Sequence, residues 1–339
     1  MKALVTESPF KLKFVDVEKP EISTPTDVLV KLKAVGICGS DVHIYHGTNP
    51  MVVYPRIMGH EMVGVVEQLG DGVTSLNIGD HVMINQVIPC GDCYACLENR
   101  QNVCFNLRVR GVHVEGGNRE YLVAPAAELF PIPKDLPFSD AVMIEPMSIA
   151  YQALARGGVK AGDIVLVLGA GALGQSILRA LQLKDVTTIV ADIADERLAE
   201  AQKIGPTYVI NSAQENLIAR VKELSGGFGA TVAIDAAGIL AALDILTQAV
   251  CPAGRIVTMG FSKEPSEVAQ LNITAKELDV RGSRLQNNKF PAVISDYQAG
   301  LIDLTGQVSH VIPFDDALQA FSLIDSRDPA VKKVVLSFD

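Results

Sequence analysis

Cys38, His60 and a carboxylate from Glu61 or Glu145 form a donor set suited to a metal held open for chemistry. They come from three distant segments: Gly36-Ile37-Cys38-Gly39-Ser40-Asp41, Gly59-His60-Glu61 and Glu145-Pro146. Soft thiolate, borderline imidazole and hard carboxylate together suit zinc and leave one position for water or an alcohol. Zinc lowers the pKa of a bound oxygen to about 7 in well-studied sites, and a deprotonated alcohol releases hydride more readily. Taken singly, each residue has a plainer reading. A lone cysteine, such as Cys251, is most often a small buried hydrophobe. A lone histidine, such as His81 or His310, is most often a hydrogen-bonded structural residue, and Glu145 before Pro146 is a turn.

A second cysteine set is contiguous: Cys90-x2-Cys93-x2-Cys96-x7-Cys104. Four thiolates at this spacing can wrap one tetrahedral zinc at ~2.3 Å, and no position remains for substrate. The set is therefore assigned to structure. An iron–sulfur cluster begins with similar spacing, but the wide gap to Cys104 and the absence of a following proline argue against it.

Hydride needs an acceptor. The apolar stretch Ile164–Leu168 runs into Gly169-Ala170-Gly171-Ala172-Leu173-Gly174, a complete G-x-G-x-x-G, and then into a helical pattern. The first glycine permits the tight turn, the second lets a pyrophosphate approach the backbone, and the third lets helix and strand pack closely. The next strand ends at Asp192, where an acid bonds the adenosine ribose and repels a 2′-phosphate, so NAD is expected over NADP. Arg197, five residues on, could meet a 2′-phosphate, but Asp192 argues against one.

The elements that must hold these residues fall into two patterns. Up to about residue 145 the chain reads as short strands between turns, among them 27–35, which alternates apolar and polar residues, then 62–69 and 81–85. From about residue 150, apolar strands alternate with helical stretches: 164–168, 188–191, 208–210, 231–234 and 255–259, with helices over 172–183 and 196–204. That alternation predicts a parallel doubly wound sheet. Near the end, 314–321 reads as a helix and 333–336 as a closing strand. At 339 residues two domains are expected. Hydrophobic residues make up 48% and the mean hydropathy is +0.26, which fits strands buried on both faces. The run Ile164–Leu178 is too short and glycine-rich to span a membrane. The N-terminus lacks a signal peptide's apolar core, so a cytoplasmic location is expected, where six cysteines suggest metal rather than disulfides. The formal charge of −10 and the absence of a Lys/Arg run disfavour phosphate-backbone binding, so no nucleic-acid partner is expected.

In combination, Cys38-Gly39-Ser40-Asp41-x-His43, Gly59-His60-Glu61, Gly64, the four-cysteine lobe and the glycine loop resemble the zinc-dependent medium-chain dehydrogenases. The resemblance spans essentially the whole chain. It implies a Rossmann doubly wound sheet plus a β-rich GroES-like catalytic domain, two zinc ions per chain and NAD. It assigns residues 1–148 with 286–339 to the catalytic domain, with a zinc lobe at about 88–106, and 149–285 to the dinucleotide domain, with substrate in the cleft. It implies that Cys38 and His60 bind the catalytic zinc. Glu145 stands where other members carry a second cysteine, and Glu61 either ligates or steps aside. Ser40 would contact the alcohol and His43 would pass its proton to solvent. Gly169, Gly171, Ala172, Leu173, Gly174, Asp192, Arg197 and Gly260 would line the cofactor. Members are commonly dimers or tetramers.

Further stretches, including Tyr54-Pro55-Arg56, Gly111-Val112-His113-x-x-Gly116-Gly117 and 259–268, resemble the starvation-sensing RspB and L-galactonate 5-dehydrogenase branch. That branch implies oxidation of a hexonate at C5, with L-gulonate, L-idonate or L-galactonate as candidates. Asn118 departs from it, standing where relatives often carry an aromatic. An acid sugar needs a cationic anchor, for which Arg284, Lys289 and Arg119 are candidates. Gln286, Asn287 and Asn288 would bond hydroxyls, and His113 and Tyr45 are further pocket candidates. A polyol or L-threonine dehydrogenase is the neighbouring alternative. An NAD-binding metabolite sensor without turnover is the alternative of a different class. A zinc-free quinone reductase would leave Cys38, His60 and Glu145 idle.

Overall fold

The computed structural model describes residues 1–326, 328 and 330–338. The chain divides into two compact units, residues 1–145 with 290–339, and residues 146–289.

The first unit is organised around the strand Asp27–Ile37. Its alternating sequence predicts one solvated face, yet only Lys31 and Lys33 are even partly exposed. Neighbouring segments cover both faces, and the two lysines keep only their outer ends in water. The strand pairs antiparallel with Glu61–Leu69 along one edge. Along the other it pairs first with Tyr121–Pro125 and then with Val334–Ser337. The order in this seven-stranded sheet is Leu129–Pro131, His81–Ile84, Glu61–Leu69, Asp27–Ile37, Val334–Ser337, His310–Pro313, with Tyr121–Pro125 beside Asp27–Ile37. A small sheet of Lys11–Asp16, Lys2–Ser8 and Arg56–Ile57 lies apart from it. The stretch expected as one helix at 314–321 is a 3-10 turn, Phe314–Asp316, followed by the helix Ala317–Asp325.

A two-stranded ribbon, Val87–Ile88 with Arg108–Val109, closes the base of the lobe carrying the four cysteines. Within the lobe Tyr94, Leu97 and Phe105 are exposed. The lobe therefore has little apolar core of its own, and some other tie must hold it.

The second unit is a six-stranded parallel sheet of Ile164–Leu168, Thr187–Asp192, Tyr208–Asn211, Ala230–Asp235, Val250–Thr258 and Asp279–Gly282. Numbered in chain order, these strands lie 3-2-1-4-5-6 across the sheet. Leu166, Ile189, Ile210, Ala233 and Ile256 are buried together with helix residues Val221 and Leu246. Helix Leu217–Leu224 starts where the Asn216 side chain accepts the Ala219 N–H at 3.0 Å. Helix Asp195–Ile204 stops at Gly205, whose left-handed φ of 93° suits a C-terminal cap. Among the described residues no helix is long and apolar enough to cross a membrane.

Candidate metal centres and dinucleotide loop

Strand Asp27–Ile37 delivers Cys38 to the N-terminus of helix Gly39–Tyr45, and His60 immediately precedes strand Glu61–Leu69. One ligand atom each from Cys38, His60 and Glu61 lies within 4.8 Å of the others. His60 and Glu61 are buried and Cys38 is half-buried.

Asp41 braces this set. Its Oδ2 accepts the Cys38 N–H at 2.9 Å, its Oδ1 accepts the Gly59 N–H at 3.3 Å, and Oδ1 stands 3.5 Å from His60 Nδ1. The last separation is an ion-pair distance, too long for a good hydrogen bond. A ligating histidine commonly presents its second nitrogen to a carboxylate, which leaves Nε2 for the metal. Burial works against a charged His60 imidazole, but Asp41 and then Cys38 outweigh it and hold its pKa well above the ordinary value.

Glu145, second in the helix Ile144–Gly157, lies outside the close trio but shares its field. Gln86 Nε2 donates to Glu145 Oε1 at 2.6 Å. Burial pushes the Glu145 pKa up to about 7; Glu61 and Asp41 act in the same sense, and His60 and Lys333 oppose them.

Glu61 has a cationic partner in Lys333, whose Nζ meets Glu61 Oε2 and also donates to Ile37 O at 3.2 Å. Burial opposes the lysine's charge, but Glu61, Cys38 and Glu145 keep its pKa raised. The strand register explains the meeting: Val334 pairs with Ile37, and Glu61 pairs with Gly36. A Cβ at Gly36 would fall on the Glu61 carboxylate and 3.1 Å from Lys333 Cε. The glycine is needed for space there. A half-buried thiol with a buried imidazole and carboxylate gathered around one point fits a zinc ion.

In the lobe, Cys93 Sγ lies 3.6 Å from Cys96 Sγ and 3.8 Å from Cys104 Sγ, and Cys104 Sγ lies 3.3 Å from Cys90 Sγ. A tetrahedron with Zn–S of ~2.3 Å has sulfur–sulfur edges of ~3.8 Å. Disulfide bonding needs about 2.05 Å, and all four cysteines are free. The Phe105 N–H donates to Cys93 Sγ at 3.4 Å and the Cys90 N–H to Cys104 Sγ at 3.2 Å. The N–H groups of Phe105 and Cys96 push the Cys93 thiol down to about 6, while Asp92 pushes Cys90 up to about 12. These donors fit one zinc.

The second unit carries the glycine loop between strand Ile164–Leu168 and helix Ala172–Leu181, which opens with Ala172 and Leu173. Gly169 has φ of 103°, and a Cβ there would lie 2.7 Å from Ala237 N. A Cβ at Gly174 would strike the Gly169 carbonyl. At Gly171 a Cβ would meet nothing within 4 Å, so this stretch of backbone is open to a ligand. Asp192 ends its strand almost fully buried; Oδ2 accepts Ala170 N–H at 2.8 Å, and Oδ1 accepts the N–H of Ile193 at 2.8 Å and of Ala194 at 3.0 Å. Arg197 Nη1 lies 3.8 Å from Asp192 Oδ2. Asp235 ends the neighbouring strand and accepts the N–H groups of Ala237 and Gly238, with Gly260 close beside it.

The remaining candidates scatter. Ser40 and His43 share one helix face, with His43 exposed and its Nδ1 2.9 Å from Thr48 Oγ1. Tyr45 packs in an aromatic cluster, its ring 5.4 Å from Phe10 and 5.2 Å from Phe321. His113 Nδ1 accepts the Val109 N–H at 3.1 Å. Arg284 stacks 5.3 Å over Phe261, and burial lowers its pKa. Gln286 is buried and accepts the Lys289 N–H, so it shapes the turn that carries Asn287, Asn288 and Lys289. Sequence reasoning gave no role to Asp41, Gln86, Lys333 or Asp235. Asp41 sits inside the Cys38 motif and Asp235 ends an apolar strand, so both left a signal; Gln86 and Lys333 left none.

The Alcohol dehydrogenase GroES-like domain family matches residues 24–134, and the Zinc-binding dehydrogenase family matches residues 172–299. The chain is 43% identical to the starvation-sensing protein RspB of Escherichia coli K12, covering 100% of this chain and 99% of that protein. It is 35% identical to an L-threonine 3-dehydrogenase of Thermococcus kodakarensis, covering 91% of this chain and 90% of the relative. The crystal structure of an alcohol dehydrogenase (rspB) from E. coli CFT073, complexed with NADH, superposes with a TM-score of 0.93 at 42% identity, covering 100% of this chain and 99% of that one.

Proposed function

The chain belongs to the zinc-dependent alcohol dehydrogenases of the medium-chain family, and from that premise we propose that it oxidises a sugar acid, a hexonate at C5, with NAD as hydride acceptor. The observation that carries the reading is the close Cys38, His60 and Glu61 set in a chain whose other unit holds an open glycine loop closed by Asp192. Cys38 and His60, with Glu61 or Glu145, would hold the catalytic zinc, and Cys90, Cys93, Cys96 and Cys104 a structural one. When bound, the catalytic zinc supplies Lewis acidity that makes an alcohol easier to deprotonate.

The chain's own residues do the rest. Asp41 faces His60 Nδ1 at 3.5 Å, which leaves Nε2 to a metal. Gln86 keeps one Glu145 oxygen engaged. Ser40 receives the alcohol proton and His43, exposed on the same helix face, passes it to solvent. Gly169, Gly171, Ala172, Leu173 and Gly174 cradle the pyrophosphate at a helix N-terminus, and Asp192 takes the ribose hydroxyls. Arg197 and Gly260 flank that cofactor site. Arg284, Asn287 and Lys289 are the groups proposed to read the acid end, with His113 and Tyr45 in supporting positions. A homo-oligomer, dimer or tetramer, is the expected assembly. The similarity to L-threonine 3-dehydrogenase keeps amino alcohols, and with them polyols, as the second reading.

The test is NADH formation across hexonates, polyols and amino alcohols, with zinc content measured on the same sample. Fastest turnover on a hexonate with two zinc ions per chain is expected. A higher kcat/KM on threonine or a polyol would transfer the assignment to that substrate. Tight NAD binding without turnover on any of them would make the protein a sensor.

A further inference from the structure

Arg119 is unused by the proposed reaction. Its sequence position suggested an anchor for the substrate's carboxylate. It lies instead in the wall of an open cavity of ≈ 320 Å³ that none of the proposed metal donors lines. Val5, Val17, Pro55 and Ile57 give this cavity an apolar surface. Its volume is at the lower end of the range of small-molecule sites, about 300–1,000 Å³.

The charges around the cavity are unevenly satisfied. Glu115 is fully engaged: Oε1 accepts Arg56 Nη1 at 2.8 Å and Oε2 accepts the Ile57 N–H at 2.6 Å. Glu18, at the rim, is exposed. Arg119 Nε is buried with no hydrogen-bond partner among the described residues. Burial pushes the Arg119 pKa down to about 10, Arg110 acts in the same sense, and Glu115 opposes them. The guanidinium keeps its charge, and among the described residues the anion that acts on it, Glu115, already has both oxygens held by Arg56 and the Ile57 N–H.

The backbone beneath Arg119 is fixed. Gly116, Gly117 and Asn118 donate their N–H groups to the carbonyls of Ile57, Gly59 and Met58 at 2.7, 2.8 and 2.9 Å. The Asn118 carbonyl accepts Leu4 N–H at 2.8 Å, and Ala3 bridges to Arg119. A ligand there meets an ordered site and pays little ordering entropy.

We propose that this cavity binds a small aliphatic monocarboxylate, its carboxylate on the Arg119 guanidinium and its hydrocarbon against Val5, Val17 and Ile57. The fork of the guanidinium matches a carboxylate. Glu18 and Glu115 disfavour a dianion such as inorganic phosphate.

The test uses butyrate on the zinc- and NAD-loaded protein, followed by saturation-transfer NMR and calorimetry, with butyramide as the neutral isostere. Saturable butyrate binding is expected, with butyramide much weaker. Arg119→Gln should weaken butyrate by about tenfold or more. Val17→Phe, which leaves the cation in place and fills the apolar wall, should weaken it too. His60→Ala removes a proposed metal donor and should leave it unchanged. The proposal is overturned by absence of saturable binding, by equal binding of butyramide, or by displacement of butyrate by equimolar phosphate. Unchanged affinity in both cavity variants, or loss of binding in His60→Ala, would overturn it as well.

Discussion

Replacing Lys333 by methionine removes a charge while keeping most of the side-chain volume. The lysine and Glu61 side chains are only 9% and 1% exposed, so the carboxylate left behind has no access to water. Removing one partner of a buried pair typically costs about 3–5 kcal/mol. The loss should fall on the metal-free protein. Zinc can serve as the new countercharge for Glu61, so the loaded protein should recover most of it. At ~1.4 kcal/mol per decade, zinc affinity should rise by about two orders of magnitude or more. Chelator competition measures the affinity, and urea denaturation with and without zinc measures the stability gap. Adding Glu61→Gln to Lys333→Met removes the stranded charge and should return both quantities toward wild type. Equal loss of stability in both forms with unchanged zinc affinity would refute the idea that lysine and metal compete for Glu61.

Cys96→Ser should lower zinc content by one ion per chain and make the 90–104 lobe sensitive to protease, because structural zinc contributes ~10–16 kcal/mol in zinc-finger peptides; two ions retained would contradict the assignment. Asp192→Asn should raise the KM for NAD and shift preference toward NADP, since it removes the charge facing a 2′-phosphate and releases Arg197 from its 3.8 Å pairing; steady-state kinetics with both cofactors reads this directly. Asp27 Oδ2 accepts Ser23 N–H, Ser23 Oγ–H and Thr24 N–H, and although burial opposes the charge these bonds lower its pKa. Its folded pKa lies below the unfolded value of ~3.9, so its stabilisation is present above that pH and lost as pH falls through the folded value. Asp27→Asn should therefore be less stable than wild type near neutrality and converge with it in acid; a gap that ignores pH would count against this.

The four-cysteine lobe was legible because its donors are neighbours in sequence. The glycine loop was legible for the same reason, since strand, turn, helix and acid follow one another from Ile164 to Asp192. Cys38 and His60 were recognisable as motifs. The relation of Glu61 to Glu145 was not, because it depends on Lys333 reaching across a strand pair and on the space left by Gly36. Tyr45 was a pocket candidate by its chemistry alone; the packing of its ring on Phe10 and Phe321, both remote in the chain, left no signal in the sequence. Arg119 has the chemistry of a substrate anchor, and its place beside Val5, Val17 and Ile57 depends on neighbours remote in the chain.

The two proposed metal sites also differ in when their surroundings become complete. Cys90 and Cys104 are 14 residues apart, so that lobe can close around its ion as soon as a short loop has left the ribosome. Lys333 contacts Ile37 across 296 residues, and the strand that follows it is made after the dinucleotide unit. The surroundings of Cys38, His60 and Glu61 are thus finished only after the whole dinucleotide unit has been synthesised. A nascent chain can therefore close the four-cysteine set early, whereas Cys38, His60 and Glu61 stand without the lysine that would compete with a metal for Glu61 until that strand is made.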